Sequence, residues 1–162
     1  MLFWIMMAAS FALDQVTKHL VTRSLPLGGS APFLGDFMQL HLIHNEGASF
    51  SMLSGQRWLF LILTVVVVAV VIVVHFRYVR GYPWFDALLG VFIGATLGNF
   101  CDRLLHGYVV DFFDVGWFPV FNVADCCIDV SVVILCIMLL FGKPKTAIGS
   151  RSQQNGKAGR GK

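Results

Sequence analysis

The sequence predicts an all-α membrane protein with four transmembrane helices and a small extracytoplasmic β-sheet and loop element between helices 1 and 2. The first observation is composition: of 162 residues, 57% are hydrophobic and 13% are charged, and the mean hydropathy is +0.75. Soluble domains average about 45–50% apolar and about 25% charged residues. The second observation is that four segments approach the ~20 apolar residues that a membrane helix needs. These spans are residues 2–21, 58–76, 84–105 and 123–141, and the polar element covers residues 22–56.

The first span, residues 2–21, carries Asp14 and Lys18 in its second half. It lacks a basic n-region, and its apolar run ends in Asp14-Gln15 rather than in a clear A-x-A cleavage site. These features favour a retained span over a cleaved signal peptide.

The polar element that follows contains one predicted strand. In "FMQLHLIHN" the apolar residues Met38, Leu40 and Leu42 alternate with Gln39 and His41. A period of two is typical of a half-buried strand. Turns are predicted before the strand, at its glycines and prolines: Pro26, Gly28, Gly29, Pro32 and Gly35.

The other three spans differ in how securely their composition predicts them. Residues 58–76 contain no charge before His75, and residues 123–141 carry acids only in their first two turns. Residues 84–105 are rich in glycine and close with Asp102-Arg103. Gly90, Gly94 and Gly98 recur every four residues along this span, a spacing that favours close contact with a neighbouring helix.

The distribution of basic residues predicts the orientation in the membrane. Four spans put both termini on one side, and that side receives Arg77, Arg80 and the six basic residues of the last 20 positions. The positive-inside rule therefore places both termini in the cytoplasm and the loops 22–57 and 106–122 outside. Residues 1–142 are predicted to form a single integral-membrane domain, and residues 143–162 a basic, disordered cytoplasmic tail.

Polar residues gather at one depth of the predicted bundle, the outer edge of the bilayer. Ionisable residues inside membrane spans are costly and are functional-site hypotheses by default. The set comprises Asp14, Lys18, Asn45, Asn99, Asp102, Arg103, Asp111, Asn122 and Asp125. At the cytoplasmic ends, Asp86 and Arg80 are interpreted as ordinary flanking charges.

Each member of this set also has a purely structural interpretation. Asn122 or Asp125 would cap the fourth helix, since acids near a helix N-terminus complement its dipole. Asp14 and Lys18 have the i,i+4 spacing of a helical ion pair. Asp102-Arg103 is interpreted as an ion pair or a snorkelling arginine. A non-enzymatic transporter or accessory subunit is the alternative class, although an ion path would need polar residues at several depths.

Two carboxylates brought together in a low-dielectric site would carry chemistry. Both cannot ionise cheaply, so the pair shares one proton. One carboxylate can then take a proton from water while the other, protonated, hydrogen-bonds the carbonyl under attack. The histidines show no H-E-x-x-H spacing and the four cysteines no zinc-site spacing, so neither a metal nor a cofactor is predicted.

Four blocks in order resemble the lipoprotein signal peptidase (signal peptidase II) family of bacterial membrane aspartyl proteases. "DQVTK" is similar to D-Q-x-[ST]-K, and "HNEGASF" to N-x-G-A-[AS]-[FW]. "GATLGNFCDRLLHGYVVDFF" is similar to G-x-x-G-N-x-x-D-R followed by V-V-D-[FM], and "FPVFNVAD" to F-x-x-F-N-x-A-D. The resemblance extends to about residue 142.

The resemblance implies that Asp111 and Asp125 are the catalytic pair, supported by Asn99, Asp102, Arg103 and Asn122. Asp14, Lys18 and Asn45 would support the site or contact substrate. The implied partners are a diacylglyceryl-prolipoprotein substrate and membrane lipids, with no nucleic acid, and the chain is expected to be monomeric in the bacterial inner membrane. Cleavage would fall just before the lipidated cysteine, with the site near the extracytoplasmic face. For the glycines of span three, a smooth wall for the signal helix is the alternative to helix packing.

Overall fold

The structure, a computed structural model, describes residues 1–47, 55–79 and 81–141. Three features discussed above lie outside the described residues: the basic tail 143–162, Arg80, and the end of the "HNEGASF" block.

The described chain is mostly helical, with four α-helices: α1 (Leu2–Ser24), α2 (Arg57–Val74), α3 (Pro83–Leu105) and α4 (Val123–Phe141). Within the described residues, three helical segments are long and apolar enough to cross a membrane: Arg57–Tyr78, Pro83–Leu105 and Val123–Phe141. Helix α1 is as long as α3, at 23 residues. It is less apolar because Asp14, Gln15 and Lys18 occupy its second half.

Helix α3 is the central helix and packs against α1, α2 and α4. A methyl group at Gly90 or Gly94 would collide with backbone atoms of α1, at the carbonyl oxygens of Phe3 and Met7 respectively. At Gly98 it would collide with the carboxylate of Asp14. The glycine spacing is therefore a helix contact, which small residues permit by letting two backbones approach closely.

A three-stranded antiparallel sheet with the order β1-β2-β3 lies at one end of the helices: β1 (Ser30–Leu34), β2 (Met38–Asn45) and β3 (Val109–Asp114). The predicted strand is confirmed as β2. The prediction of a turn at Pro32 was wrong, because Pro32 lies in β1 beside a register shift. An edge strand accepts proline because it needs no amide donor on its free side.

The sheet is not confined to the segment between the first two helices. Residues 109–114 were predicted as outer loop, but they form β3, with Asp111 opposite Ile43 of β2. Val109, Val110, Asp111 and Phe112 are all buried. A strand covered on both faces shows no alternation, and the aspartate in its middle further disguised it.

Two groups of buried apolar residues hold the helices and sheet together. Phe3, Leu89 and Ile93 pack between α1 and α3, and Leu42, Val110 and Phe112 pack under the sheet. The second group fixes β2 and β3, the two strands that carry Asn45 and Asp111.

The end of α2 carries a polar contact that the sequence did not predict. The helix continues as a π-turn, His75–Val79. There His75 Nδ1 lies 3.3 Å from Asp86 Oδ1, and the imidazole stacks on Phe3 at 4.1 Å between ring centroids. The Asp86 side chain is 14% exposed and lies beside this buried imidazole, so it is less solvated than the sequence suggested.

Candidate active site

Asp111 and Asp125 line one cavity of about 580 Å³ between the sheet and the first turn of α4. Asp111 lies in the middle of β3, and Asp125 is the third residue of α4. The 13 residues that separate them in sequence fold back through an antiparallel bridge between Phe113 and Phe121. This turn brings the start of α4 beside β3.

The carboxylate of Asp111 is held by two side-chain amides. Asn45 Nδ2 donates to its Oδ2 at 2.8 Å, and Asn122 Nδ2 donates to its Oδ1 at 2.6 Å. Asn45 also accepts the amide N–H of Gly47 at 3.0 Å, an Asx turn that orients its side chain. Strand β2 and the residue before α4 thus fix the carboxylate from two sides.

Asp125 belongs to a reciprocal cap at the start of α4. The backbone N–H of Asn122 donates to Asp125 Oδ2 at 3.1 Å, and the backbone N–H of Asp125 donates to Asn122 Oδ1 at 3.0 Å. This is the arrangement of a capping box. The other carboxylate oxygen, Oδ1, accepts from Asn99 Nδ2 at 2.9 Å. The capping interpretation is confirmed, and it coexists with a place in the cavity.

Asn122 connects the two carboxylates. Its side chain is fully buried, and its Nδ2 contacts Asp111 Oδ1 as well as Asn99 Oδ1, the latter at 3.1 Å. Its backbone amide holds Asp125. A single residue therefore hydrogen-bonds both acids.

Burial gives Asp111 an unusual proton affinity. Asp111 is 2% exposed, and its surroundings together raise its pKa to about 7 from an ordinary 3.8. The loss of hydration is the largest cause and the negative charge of Asp125 acts in the same direction, while the hydrogen bonds from Asn45 and Asn122 lower the pKa and offset part of the rise. An acid with such a pKa holds a proton in a substantial fraction of molecules at neutral pH.

A second buried network lies behind Asn99. Lys18 Nζ contacts Asp14 Oδ2 and Asp102 Oδ2, both at 2.8 Å, and donates to Asn99 Oδ1 at 2.8 Å. Its three protons therefore each have a partner, which a buried ammonium group requires. The i,i+4 pair of Asp14 and Lys18 is confirmed as one part of this network.

Gln15 belongs to the same network, although the sequence analysis did not select it. Its Nε2 contacts Asp14 Oδ2 and Asp102 Oδ1, both at 3.2 Å. The letter Q in the "DQVTK" block was the available signal. Asp14 also accepts the backbone N–H of Ala124 at 3.1 Å, so α1 contacts the first turn of α4 directly.

The interpretation of Asp102-Arg103 as an ion pair was wrong. Within the described residues Asp102 pairs with Lys18, while Arg103 Nη2 donates to the carbonyl oxygen of Gly47 at 3.0 Å. Neighbouring residues on a helix point about 100° apart, so the two side chains do not face each other. The Arg103 guanidinium also lies 4.8 Å from the centre of the Phe60 ring and lines the cavity.

The rest of the cavity wall is mainly apolar and comes from the loops flanking the sheet. It includes Phe37, Trp117 and Phe118. Cys126 and Asp129 of α4 also line it. An apolar wall with a few convergent polar groups is typical of a site for a small or extended ligand.

The nine residues selected from sequence all meet here, in the cavity or in the network behind it. Asn45, Asn99, Arg103, Asp111 and Asp125 line the cavity. Asn122 hydrogen-bonds both acids, and Asp14, Lys18 and Asp102 form the second network. The described part of the chain contains no cluster of histidine, cysteine or acidic residues suited to a metal ion.

Comparisons with known proteins agree on one family. Residues 6–141 match the family described as signal peptidase (SPase) II. The lipoprotein signal peptidase of Listeria monocytogenes serotype 4a (strain HCC23) is 35% identical over 150 residues, which are 90% of this chain and 97% of that protein. The lipoprotein signal peptidase of Mycobacterium avium (strain 104) is 38% identical over 153 residues, 90% of this chain and 82% of its own length. A solved bacterial membrane enzyme, determined by the in meso method at 2.3 Å resolution, superposes with a TM-score of 0.81 at 28% identity, over 87% of this chain and 90% of that one.

Proposed function

The chain belongs to the signal peptidase II family of aspartic peptidases, and from that premise we propose that Asp111 and Asp125 are its catalytic pair. The substrate is a prolipoprotein that carries diacylglyceryl on a cysteine, and the bond cut is the one just before that cysteine. A non-enzymatic transporter or accessory subunit is not favoured, because the relatives over nearly the whole chain are peptidases.

The observation that carries this proposal is that Asn122 hydrogen-bonds both acids and that the two acids line the same cavity. Acids that served only to cap a helix or to pair with a cation would have no need of a common bridging side chain. The raised pKa of Asp111, at about 7, supports a division of labour in which Asp111 carries the proton and Asp125 is ionised.

The reaction then proceeds by water addition. Asp125 accepts a proton from water, the resulting hydroxide adds to the scissile carbonyl carbon, and Asp111 gives its proton to the carbonyl oxygen. The tetrahedral intermediate breaks down when the amide nitrogen takes the proton from Asp125 and the C–N bond opens. The remaining hydroxyl proton returns to Asp111, which restores both acids to their starting states.

The other polar residues position this pair. Asn45 and Asn122 hold Asp111, Asn99 holds Asp125, and Arg103 fixes the Gly47 carbonyl beside Asn45. Asp14, Lys18 and Asp102 keep Asn99 in place through the buried ammonium. None of these roles requires a metal or a cofactor.

The membrane arrangement follows the sequence reasoning. Helix α1 also spans the membrane and brings the number of spans to four. Its 23 residues extend about 35 Å, enough for a hydrocarbon core of about 30 Å. Both termini face the cytoplasm, and the sheet and cavity face outward. A monomer suffices, because all nine residues come from one chain. Membrane lipid surrounds the helices, and each buried methylene of the substrate's acyl chains contributes about 0.8 kcal/mol to holding it in the bilayer.

Substitution of either acid tests the assignment. We expect Asp111→Asn and Asp125→Asn each to lower the cleavage rate of a purified diacylglyceryl-prolipoprotein by about 10²–10⁴-fold, since each removes one proton-transfer group. Release of the signal peptide by the purified chain is the measurement. Asp114→Asn is the matched control, because Asp114 ends the same strand but lies outside the cavity lining. Near-normal turnover by either test variant would remove that acid from the mechanism.

A further inference from the structure

Asp129 is an acid of the active-site cavity that the proposed reaction does not use. It lies four residues after Asp125 in α4 and lines the same cavity. Residues four apart share one face of a helix and are separated by about 6 Å along its axis. In the proposed orientation α4 runs inward from Val123, so Asp129 lies one turn deeper in the membrane than Asp125.

The carboxyl group of Asp129 has no protein partner in the described part of the chain. The residue is exposed at the cavity, and no described residue forms a hydrogen bond or an ion pair with it. Arg103, the basic residue of the cavity lining, donates to the carbonyl oxygen of Gly47 instead. Ionisable residues within membrane spans are costly and normally pair with another group. A partner for Asp129 would therefore arrive with a ligand of the cavity.

The other side-chain oxygens of the cavity already accept hydrogen bonds. Asp111 and Asp125 each accept a donor at both carboxylate oxygens. The amide oxygens of Asn45 and Asn99 accept donors as well. Among the described carboxyl and amide side chains that line the cavity, Asp129 is thus the one whose oxygens are both open to a ligand.

The proposed substrate has donors that need an acceptor at this depth. Both catalytic acids must reach the scissile carbonyl, so the peptide there cannot be α-helical, since an intrahelical hydrogen bond would occupy that carbonyl. Unwinding releases backbone N–H groups, which are costly to leave unpaired in hydrocarbon. A signal peptide keeps its basic N-terminus in the cytoplasm, so the residues before the scissile bond lie on the deeper side, where Asp129 is.

We propose that Asp129 binds the unwound signal peptide by accepting a backbone N–H about two residues before the scissile bond. The register follows from two spacings: about 6 Å along α4 correspond to about two residues of extended peptide at about 3.3 Å each. The inference rests on the proposed function, because it takes the bond held at Asp111 and Asp125 as its reference point. Asp129 then aligns the peptide and takes no part in proton transfer.

Substitutions of Asp129 test this contact in the purified full-length chain with a diacylglyceryl-prolipoprotein. Asp129→Leu removes both acceptor oxygens and should lower kcat/KM at least about tenfold, the effect of losing a hydrogen bond to a charged group. Asp129→Asn keeps one acceptor oxygen and should recover most of this loss. Val130→Leu is the matched control, because Val130 is the next residue, is exposed and lies outside the described cavity lining.

Methylation of the substrate identifies the donor. Synthetic lipidated substrates carry a methyl group on one backbone nitrogen at a time, at each of the three residues before the scissile bond. At one of these positions the methyl group should lower kcat/KM about tenfold in the unaltered chain but hardly in Asp129→Leu, which has already lost the hydrogen bond. Any other disturbance by the methyl group affects both chains equally. Losses that multiply at all three positions would overturn the inference.

Failure of the Asp129 contact is distinguishable from failure of the catalytic pair. If Asp111→Asn and Asp125→Asn stop cleavage while Asp129→Leu keeps full turnover, or while Asp129→Asn is no better than Asp129→Leu, only the role of Asp129 is wrong. If Asp111→Asn or Asp125→Asn keeps near-normal turnover, the proposed function itself is wrong.

Discussion

At the scale of single residues, the pKa of Asp111 is set by effects of opposite sign. Two amide donors favour its ionised form, and burial together with Asp125 favours its protonated form. Burial is the largest of these effects, so the pKa rises to about 7. A carboxyl group in this condition can give up and regain a proton near neutral pH at little cost.

The first consequence is a pH dependence of known sign. Asp111 must be protonated in the proposed reaction, so kcat/KM should fall about tenfold per pH unit as pH rises through and beyond about 7. Asn45→Ala removes a donor that favours the ionised form, and the alkaline limb should therefore move to higher pH. The measurement is the pH profile of kcat/KM for both chains.

Gln39→Ala provides the comparison for that profile. Gln39 lies in the same strand as Asn45 but donates to Asp114 rather than to Asp111. Its profile should coincide with that of the unaltered chain. An alkaline limb that stayed in place in Asn45→Ala, or moved to lower pH, would contradict the role given to Asp111.

Lys18 gives a prediction about stability. Lys18→Met leaves Asp14 and Asp102 buried without their cation, a change that costs about 3–5 kcal/mol in comparable buried pairs. The Tm of the purified chain should fall by at least about 6 °C. Arg23→Met, at an exposed position of the same helix, should leave Tm nearly unchanged. Equal shifts in the two variants would show that the network adds little to stability.

The residues of the site could be predicted from sequence because charge inside a membrane span is rare and expensive. Their partners could not. Nothing in the spacing of Asp102 and Arg103 indicated that Lys18, more than 80 positions away, would neutralise Asp102. The bridging function of Asn122 likewise depends on the fold, which brings β3 beside the start of α4.

At the scale of elements, the contact between α1 and α3 positions the acidic network. The glycines of α3 admit the α1 backbone, and Gly98 leaves room for the Asp14 carboxylate itself. This contact explains why the polar second half of α1 can be buried: its charges face α3 and not lipid.

Gly94→Ala tests this contact. Alanine is the better helix former by about 1 kcal/mol, so an uncrowded position would gain stability from the change. At Gly94 the added methyl group would meet the Met7 carbonyl and the Ser10 hydroxyl, and overpacking of this kind costs about 1–3 kcal/mol or more. We expect a lower Tm and lower activity.

Thr96→Ala serves as the control for that variant. Its hydroxyl donates only within α3, to the Phe92 carbonyl, so its loss does not change the distance to α1. A Tm that rose in Gly94→Ala would mean that the helices can separate without cost.

The strands show where sequence periodicity succeeds and fails. Strand β2 has one face more covered than the other, and its alternation predicted it. Strand β3 is covered on both sides and has an ionisable residue in its centre, so its apolar run was interpreted as loop. Strand β3, which was not predicted, carries Asp111. The sequence therefore identified this acid but not the strand that positions it.

At the scale of the whole molecule, the mostly helical fold with a small sheet was predicted from composition and segment length. The number of spans rests on α1, whose mixed composition alone would not identify a membrane helix. Orientation rests on basic residues that lie largely outside the described residues, so it needs a direct measurement.

Labelling of single cysteines provides that measurement. In a chain with its four cysteines replaced by serine, Asp36→Cys should react with a membrane-impermeant maleimide on intact spheroplasts, because its loop faces outward in the proposed orientation. Trp84→Cys, at an exposed position near the start of α3, should react only after the membrane is opened. The reverse pattern would invert the orientation and put the cavity on the cytoplasmic side.

The direct hydrogen bond from Ala124 to Asp14 has a consequence for biosynthesis. The first and last helices meet at the acids, and the strand between them that bears Asp111 pairs with one made much earlier. If Asp111 and Asp125 act as proposed, the chain gains its hydrolytic activity only after the ribosome has completed α4, the last of the helices.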